Sequence, residues 1–155
     1  MATINFKSVG VAATASLQNT VDSSSLPIGI KTPLQLSYDD GILVMHYDLA
    51  EQLADNLRNL LQTNWGERVG QYFFGANLKP LTTEFSSQET FDSEAVVRIK
   101  SAVTTWMPFI DLVDFISVID RNENKNTGIV RLTIGYNIPS LNVKDRKIQV
   151  VLYVI

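Results

Sequence analysis

The chain has 155 residues, a net charge of -3, and 45% hydrophobic against 19% charged residues. This is enough for one globular domain that buries about two thirds of its unfolded surface, and it excludes a disordered or fibrous chain and any broad basic footprint for nucleic acid or an anionic membrane. With no cysteine and one histidine, disulfides, thiolate zinc sites and multi-histidine metal clusters are ruled out, and no cofactor is expected.

The opening residues Met1-Ala2-Thr3-Ile4-Asn5-Phe6-Lys7 lack a basic stretch followed by a long apolar core, so no secretory signal is expected. No run approaches the roughly 18 apolar residues that span a bilayer, and synthesis in the cytoplasm fits. Residues 12–25 are mostly small and polar and end in Ser23-Ser24-Ser25, too poor in large apolar groups to offset their own ordering entropy. Residues 1–26 therefore read as an extended arm, either a disordered tail or one that orders on a neighbour through Ile4, Phe6, Val9 and Val11. The remainder, 27–155, reads as one domain.

From Leu34 to Asp48 the sequence predicts a β-hairpin. Leu36 and Tyr38 precede the Asp39-Asp40-Gly41 turn, and Ile42, Val44 and His46 alternate after it, with Asp-Gly supplying the positive φ angles of a tight turn. His46, at the end of the second strand, has no nucleophile or metal partner in the pattern and reads as a histidine of the surface or the core edge.

Asp48-Leu49-Ala50-Glu51 is a capping-box pattern, with Asp48 placed to accept from the third helical amide and Glu51 to reach back to the cap. Leu49, Leu53, Leu57, Leu60 and Leu61 then form one apolar stripe, while Glu51, Asp55, Arg58, Asn59 and Gln62 face elsewhere. Gly66 stands where a left-handed residue ends a helix. The loop beyond it, Glu67-Arg68 followed by Gly70-Gln71-Tyr72-Phe73-Phe74-Gly75, is apolar enough that packing is expected of it.

Residues 80–89 read as irregular. Ser86-Ser87 or Asp92-Ser93 can start a second helix whose apolar line is Val96, Ile99, Val103 and Trp106, and Pro108 ends it near 105–107. Leu112 to Asp120 fits neither periodicity cleanly and is taken as a strand on its Val, Ile and Phe content. Asn122 to Asn126 reads as a loop. Val130, Leu132, Ile134, Tyr136 and Ile138 alternate strictly with polar or small residues, a half-buried strand broken by Pro139-Ser140.

The last strand differs. Ile148, Val150, Leu152 and Val154 share one face, and the other, Gln149, Val151, Tyr153 and Ile155, is also largely apolar. Two placements satisfy this: inside the sheet, paired also with the hairpin, or at an edge completed by a strand of another subunit.

Enzymatic chemistry finds little support. Glu67, Glu84 and Glu89 are the candidate acids for a glycosidase, but Arg68 beside Glu67 favours the ionised carboxylate, the opposite of a general acid. The histidine lacks a Gly-X-Ser-X-Gly partner, and no phosphate-binding glycine motif occurs. Glu67-Arg68 reads as an ion pair or surface charges, or else Arg68 ties carbonyls or a carboxylate of the following loop and fixes a surface for a partner. Most of Trp65, Tyr72, Phe73, Phe74 and Trp106 are expected in the core. Trp65 and Met107-Pro108-Phe109, at helix ends, are the better interface anchors.

Several separated pieces, PIGIKTPL, LRNLLQTNWGERVG, FGANLKPL and the helix ending in Trp106-Met107-Pro108, occur in an order that resembles the small baseplate wedge proteins that initiate the sheath of contractile phage tails, with relatives in type VI secretion baseplates. The resemblance runs from about Pro27 onward. Many relatives carry Glu-Pro-Arg where this chain has Met107-Pro108-Phe109, so a charged contact there does not carry over. The fold expected is α+β, two main helices packed against a mainly antiparallel β-sheet with an extended N-terminal arm. The resemblance implies a non-enzymatic virion protein of the tail baseplate, six copies per ring, that offers Ile148 to Ile155 to the sheath protein. Gly66, Glu67 and Arg68 would organise the loop, and Trp65, Trp106, Met107, Pro108 and Phe109 would meet the wedge's helical core bundle; the tail tube is a further candidate neighbour. Nucleic acid and membrane are not expected partners. A baseplate-associated lysozyme and a stand-alone ligand-binding module are the competing readings.

Overall fold

The computed structural model describes residues 26–37, 41–84, 88–122 and 127–154. The described residues divide into two compact units, one up to Gln52 and one from Leu53.

In the first unit, strand β1 (Gly29–Ile30) pairs antiparallel with β2 (Met45–His46). The ladder is flanked by the Ile28 and Lys31 amides, which donate to the His46 and Val44 carbonyls. Nearer the tip, Leu36 bridges Leu43, and the Ser37 and Val44 amides donate to the Ile42 and Gln35 carbonyls. The expected hairpin is thus present but reaches back to Ile28, past the cis Thr32-Pro33 peptide, and Gly41 has the positive φ of +116°. Tyr38, Asp39 and Asp40 lie outside the described residues. The alternation after the turn holds only in part: His46 is buried, but Ile42 is 81% exposed. Alternation sorts side chains only along a continuous ladder, and this one is broken into two-residue strands and a lone bridge.

Helix α1 (Leu49–Gln62) starts at Asp48, whose Oδ1 accepts from the Ala50 amide at 3.1 Å, the second helical amide and not the third. Glu51 does not reach back to the cap; its carboxylate lies 3.4 Å from Nδ1 of His46. In the second unit the helix presents Leu57, Leu60 and Leu61, all fully buried. Asp55, expected on the polar side, is buried too, and Nη1 of Arg58 donates to it at 2.6 Å.

Residues 81–84, expected to be irregular, form the short helix α2 (Leu81–Glu84). Helix α3 (Gln88–Trp106) is under way before Asp92-Ser93, and Ser86-Ser87 lie outside the described residues. Of the expected line, Ile99 and Val103 are buried and Trp106 is half-buried, but Val96 is 40% exposed, and Phe91, Ala95 and Ala102 complete the buried face. Ala95 and Ala102 share the contact with the larger side chains, a signal that a search for large apolar residues overlooks. The Met107 amide still donates to the Val103 carbonyl at 2.8 Å, and Pro108, which has no amide hydrogen, follows the end of the helix.

Strands β3 (Asp111–Asn122), β4 (Thr127–Ile138) and β5 (Val143–Val154) form an antiparallel sheet in the order β3-β4-β5. Asn122, read as loop, belongs to β3; residues 123–126 lie outside the described residues. On β4, Val130, Leu132, Ile134, Tyr136 and Ile138 are all buried, as their alternation requires. A 3-10 turn at Pro139–Leu141 and the left-handed Asn142 connect β4 to β5. Ile148, Val150 and Leu152 of β5 join the core formed by α1, α3 and the inner face of the sheet. Ser117 Oγ donates to Asp92 Oδ1 at 2.5 Å, tying β3 to α3. The protein is an α+β fold with two main helices on an antiparallel sheet, as the sequence predicts.

Candidate functional site

The sheet order leaves β5 outermost, paired with β4 along one side and with no strand on the other among the described residues. Main-chain amides and carbonyls along such an edge template a further strand. Natural sheets blunt edges with charge, and β5 does so only at its start. Lys144, Asp145, Arg146 and Lys147 are all exposed there, and the register with β4 shifts between Tyr136 and Ile138. Asp145 adopts a positive φ of 55°, and its amide donates to Oδ1 of Asn137 at 2.8 Å. From Ile148 to Val154 there is no charged residue. The opposite edge, β3, is bulged between Leu112 and Asp114 and carries Asp111, Asp114 and Asp120 along its length.

Of the predicted strand residues, Ile148, Val150 and Leu152 point into the core, while Gln149 and Tyr153 are exposed and Val151 is half-buried. Ile155 lies outside the described residues. The outward face continues across the sheet in register: Val118, Arg131 and Val151 form one row, and Ile116, Thr133 and Gln149 the next. Arg131 donates to the Asp120 carboxylate within this face.

The loop after α1 folds back onto the helix it follows. Ala76 and Asn77 donate their amides to the carbonyls of Leu60 and Thr63, which the helix itself leaves unpaired at its end. The chain can pass so close only because position 75 is glycine: at its φ of +110°, a Cβ would lie 2.1 Å from the Thr63 carbonyl oxygen. Gly66, at φ +83°, turns the chain after the helix and donates to the Tyr72 carbonyl. Glu67 accepts from both the amide and the Nδ2 of Asn64, each at 2.8 Å. These two bonds, the backbone one first, hold its carboxyl below the usual carboxylate range.

The expected partner of Arg68 differs. Its guanidinium stacks 4.2 Å over the Phe74 ring, a cation–π contact, with no ion pair to Glu67. The arginine that does tie this loop is Arg98 of α3, which is not among the predicted site residues. Its Nη1 donates to the Asn77 carbonyl at 2.9 Å and its Nε to Glu94 at 3.1 Å. Glu94 four residues earlier was a visible local signal; the contact with Asn77, 21 residues away, was not.

The aromatic loop is not packed as expected. Val69 is fully exposed, and Trp65, Tyr72 and Phe73 are exposed as well. They pack on one another edge-to-face, Trp65 on Phe73 and Tyr72 on Phe73, instead of under the core. Phe74 and Trp106 meet edge-to-face at 5.1 Å and are half-buried. Together with Leu53, Leu60, Met107 and Phe109 they line a half-open groove of about 640 Å³, with Arg68 among its lining residues. Of the predicted helix-end anchors, Pro108 and Phe109 are exposed, whereas Met107 is buried in the core.

Burial pushes the Tyr136 phenol above its ordinary value, with Arg146 and Arg58 opposing. No cluster of three or more metal-ligating side chains occurs among the described residues.

The sequence matches no known protein family and no curated protein. Solved structures do share its fold. A chain of the anti-feeding prophage baseplate, determined by electron cryo-microscopy with six-fold symmetry, superposes with a TM-score of 0.56 and is 21% identical, covering 70% of this chain and 82% of that one. Two further likenesses score lower. A chain of the post-contraction pyocin R2 baseplate reaches 0.47 at 18% identity, covering 68% of this chain and 97% of that one. A Geobacter sulfurreducens protein provisionally named a tail lysozyme reaches 0.49 at 24% identity, covering 69% and 90%. At these identities the likeness is one of fold.

Proposed function

We propose that this protein is a structural component of a contractile-tail baseplate and that β5 nucleates the sheath by accepting an extended segment of the sheath protein along its open edge. The observation that carries this is the seven-residue uncharged stretch Ile148–Val154 on an edge with no partner strand among the described residues. Such a stretch is an aggregation hazard in a free protein and an advantage in an assembly, where main-chain bonds give affinity and alternating side chains give specificity.

The shared fold with a baseplate chain supports the location, and the six-fold symmetry of that particle supports six copies per ring. The groove beside Phe74, Trp106 and Phe109, with the exposed Trp65, would receive helices of other wedge proteins. Residues 1–26 would serve as an arm on a neighbouring subunit, and 27–155 as the wedge domain proper. No catalytic role is assigned to Glu67, since its bonds from Asn64 stabilise the anion that a general acid must avoid.

Deleting residues 147–155 is a poor test, because Ile148, Val150 and Leu152 are core residues. The double variant Val151→Lys/Tyr153→Lys places charges on the outward face alone. It is expected to fold, with a small loss of stability because position 151 lies directly opposite Arg131, but to fail to seed sheath on tail tubes under the electron microscope. Normal sheath growth from this variant would overturn the proposal. So would peptidoglycan turnover by wild type that Glu67→Gln abolishes.

A further inference from the structure

Resting on that reading of β5, we infer that the segment added to its edge carries acidic residues at one end, and that these set its register against Lys144, Arg146 and Lys147. The edge is divided in two. Its uncharged part, Ile148–Val154, has no second strand beside it among the described residues, with Val150 and Leu152 inward and Val151 and Tyr153 outward, and Gln62, Asn64, Glu67 and Lys79 line a hollow along Val151–Tyr153. Its first part offers three exposed cations, and none of them has a carboxylate within ion-pair distance among the described residues.

Backbone geometry separates the two parts. The register shift opposite Asn137 and the left-handed Asp145 twist the strand, so an added strand that follows the ladder through Ile148 must end or diverge near Lys147. An apolar strand alone can slip by two residues and keep its faces, because side chains repeat every second residue. Carboxylates at the end that meets Lys147 and its neighbours would remove that freedom, since a slip would carry them away from the cations and against apolar side chains. The partner is therefore a sheath segment of about seven or eight residues, alternating and apolar, with Asp or Glu at the end beside the bulge. The added strand can run either way; an antiparallel one would carry its acids at its C-terminal end.

The experiment uses the full chain and the cognate sheath subunit, with binding measured over a range of NaCl concentrations and amide hydrogen exchange followed on β5. Wild type should bind more weakly as salt rises, and its protection on binding should cover Ile148–Val154 and fade before Lys144. Lys144→Glu/Arg146→Glu/Lys147→Glu should bind about tenfold or more weakly at low salt, as three charge pairs turned repulsive imply, and should bind more tightly, not less, as salt rises. The milder Lys144→Gln/Lys147→Gln checks that the effect is one of charge and not of folding, and should fall between the two. If the triple variant binds like wild type while Val151→Lys/Tyr153→Lys does not bind, the acidic segment is wrong and the open edge stands. If both variants bind like wild type, the use of the edge fails as well.

Discussion

Replacing Gly75 with alanine puts a methyl carbon 2.1 Å from the Thr63 carbonyl oxygen and 2.7 Å from its carbon, both backbone atoms that cannot turn aside. The loop must then lift off the end of α1. Two bonds go with it, from the Ala76 amide to the Leu60 carbonyl and from the Asn77 amide to the Thr63 carbonyl, each contributing about 1 kcal/mol net. A side chain at φ +110° adds a strain of about 1–3 kcal/mol. The sum is about 3–5 kcal/mol, which for a unit of about 100 residues lowers the melting temperature by about 12 °C or more. Gly70 is the internal control. It too has positive φ, +80°, but nothing lies within 4 Å of its added Cβ, so Gly70→Ala should show the conformational strain without the clash. Urea titrations followed by the fluorescence of Trp65 and Trp106 compare the two variants. Equal losses of stability would refute the close approach as the reason for glycine at 75.

Arg98→Met should cost about 1–2 kcal/mol, because the Asn77 carbonyl loses a charged donor; Arg98→Lys, lacking the fork, should recover less than half of it in the same titrations. Glu67 has a folded-state pKa below its ordinary 4.5, so its contribution to stability is present above that pH and is lost as pH falls through the folded value. The stability gap between wild type and Glu67→Gln should therefore be largest near neutral pH and close in acid, and a gap that widens in acid would contradict the Asn64 contacts. On the sheet, Leu132→Ala should cost about 2–5 kcal/mol by opening a cavity in the central strand, whereas Val118→Thr, on the outward face, should stay within about 0.5 kcal/mol. A large loss at Val118 would mean that the outward face is covered in the free protein.

Local chemistry made much of this protein legible without coordinates. The burial of Leu57, Leu60 and Leu61 on α1, the stop at Pro108 and the strict alternation of β4 follow from residues a few positions apart and appeared where their patterns required, whereas Leu49 of the same stripe is 42% exposed and Asp48 caps the second helical amide instead of the third. The uncharged run from Ile148 to Val154 likewise announced a strand with two apolar faces. Which neighbour that strand has could not be read, because pairing is a choice among distant segments, and only the sheet order put β4 on one side of β5, with no strand on the other among the described residues. Contacts across long separations decided the rest. Arg98 took the role expected of Arg68 because α3 passes the Asn77 carbonyl, and Gly75 owes its identity to the Thr63 carbonyl it crosses. The aromatic loop stayed outside, its rings packed edge-to-face on one another, which no count of apolar residues could foretell.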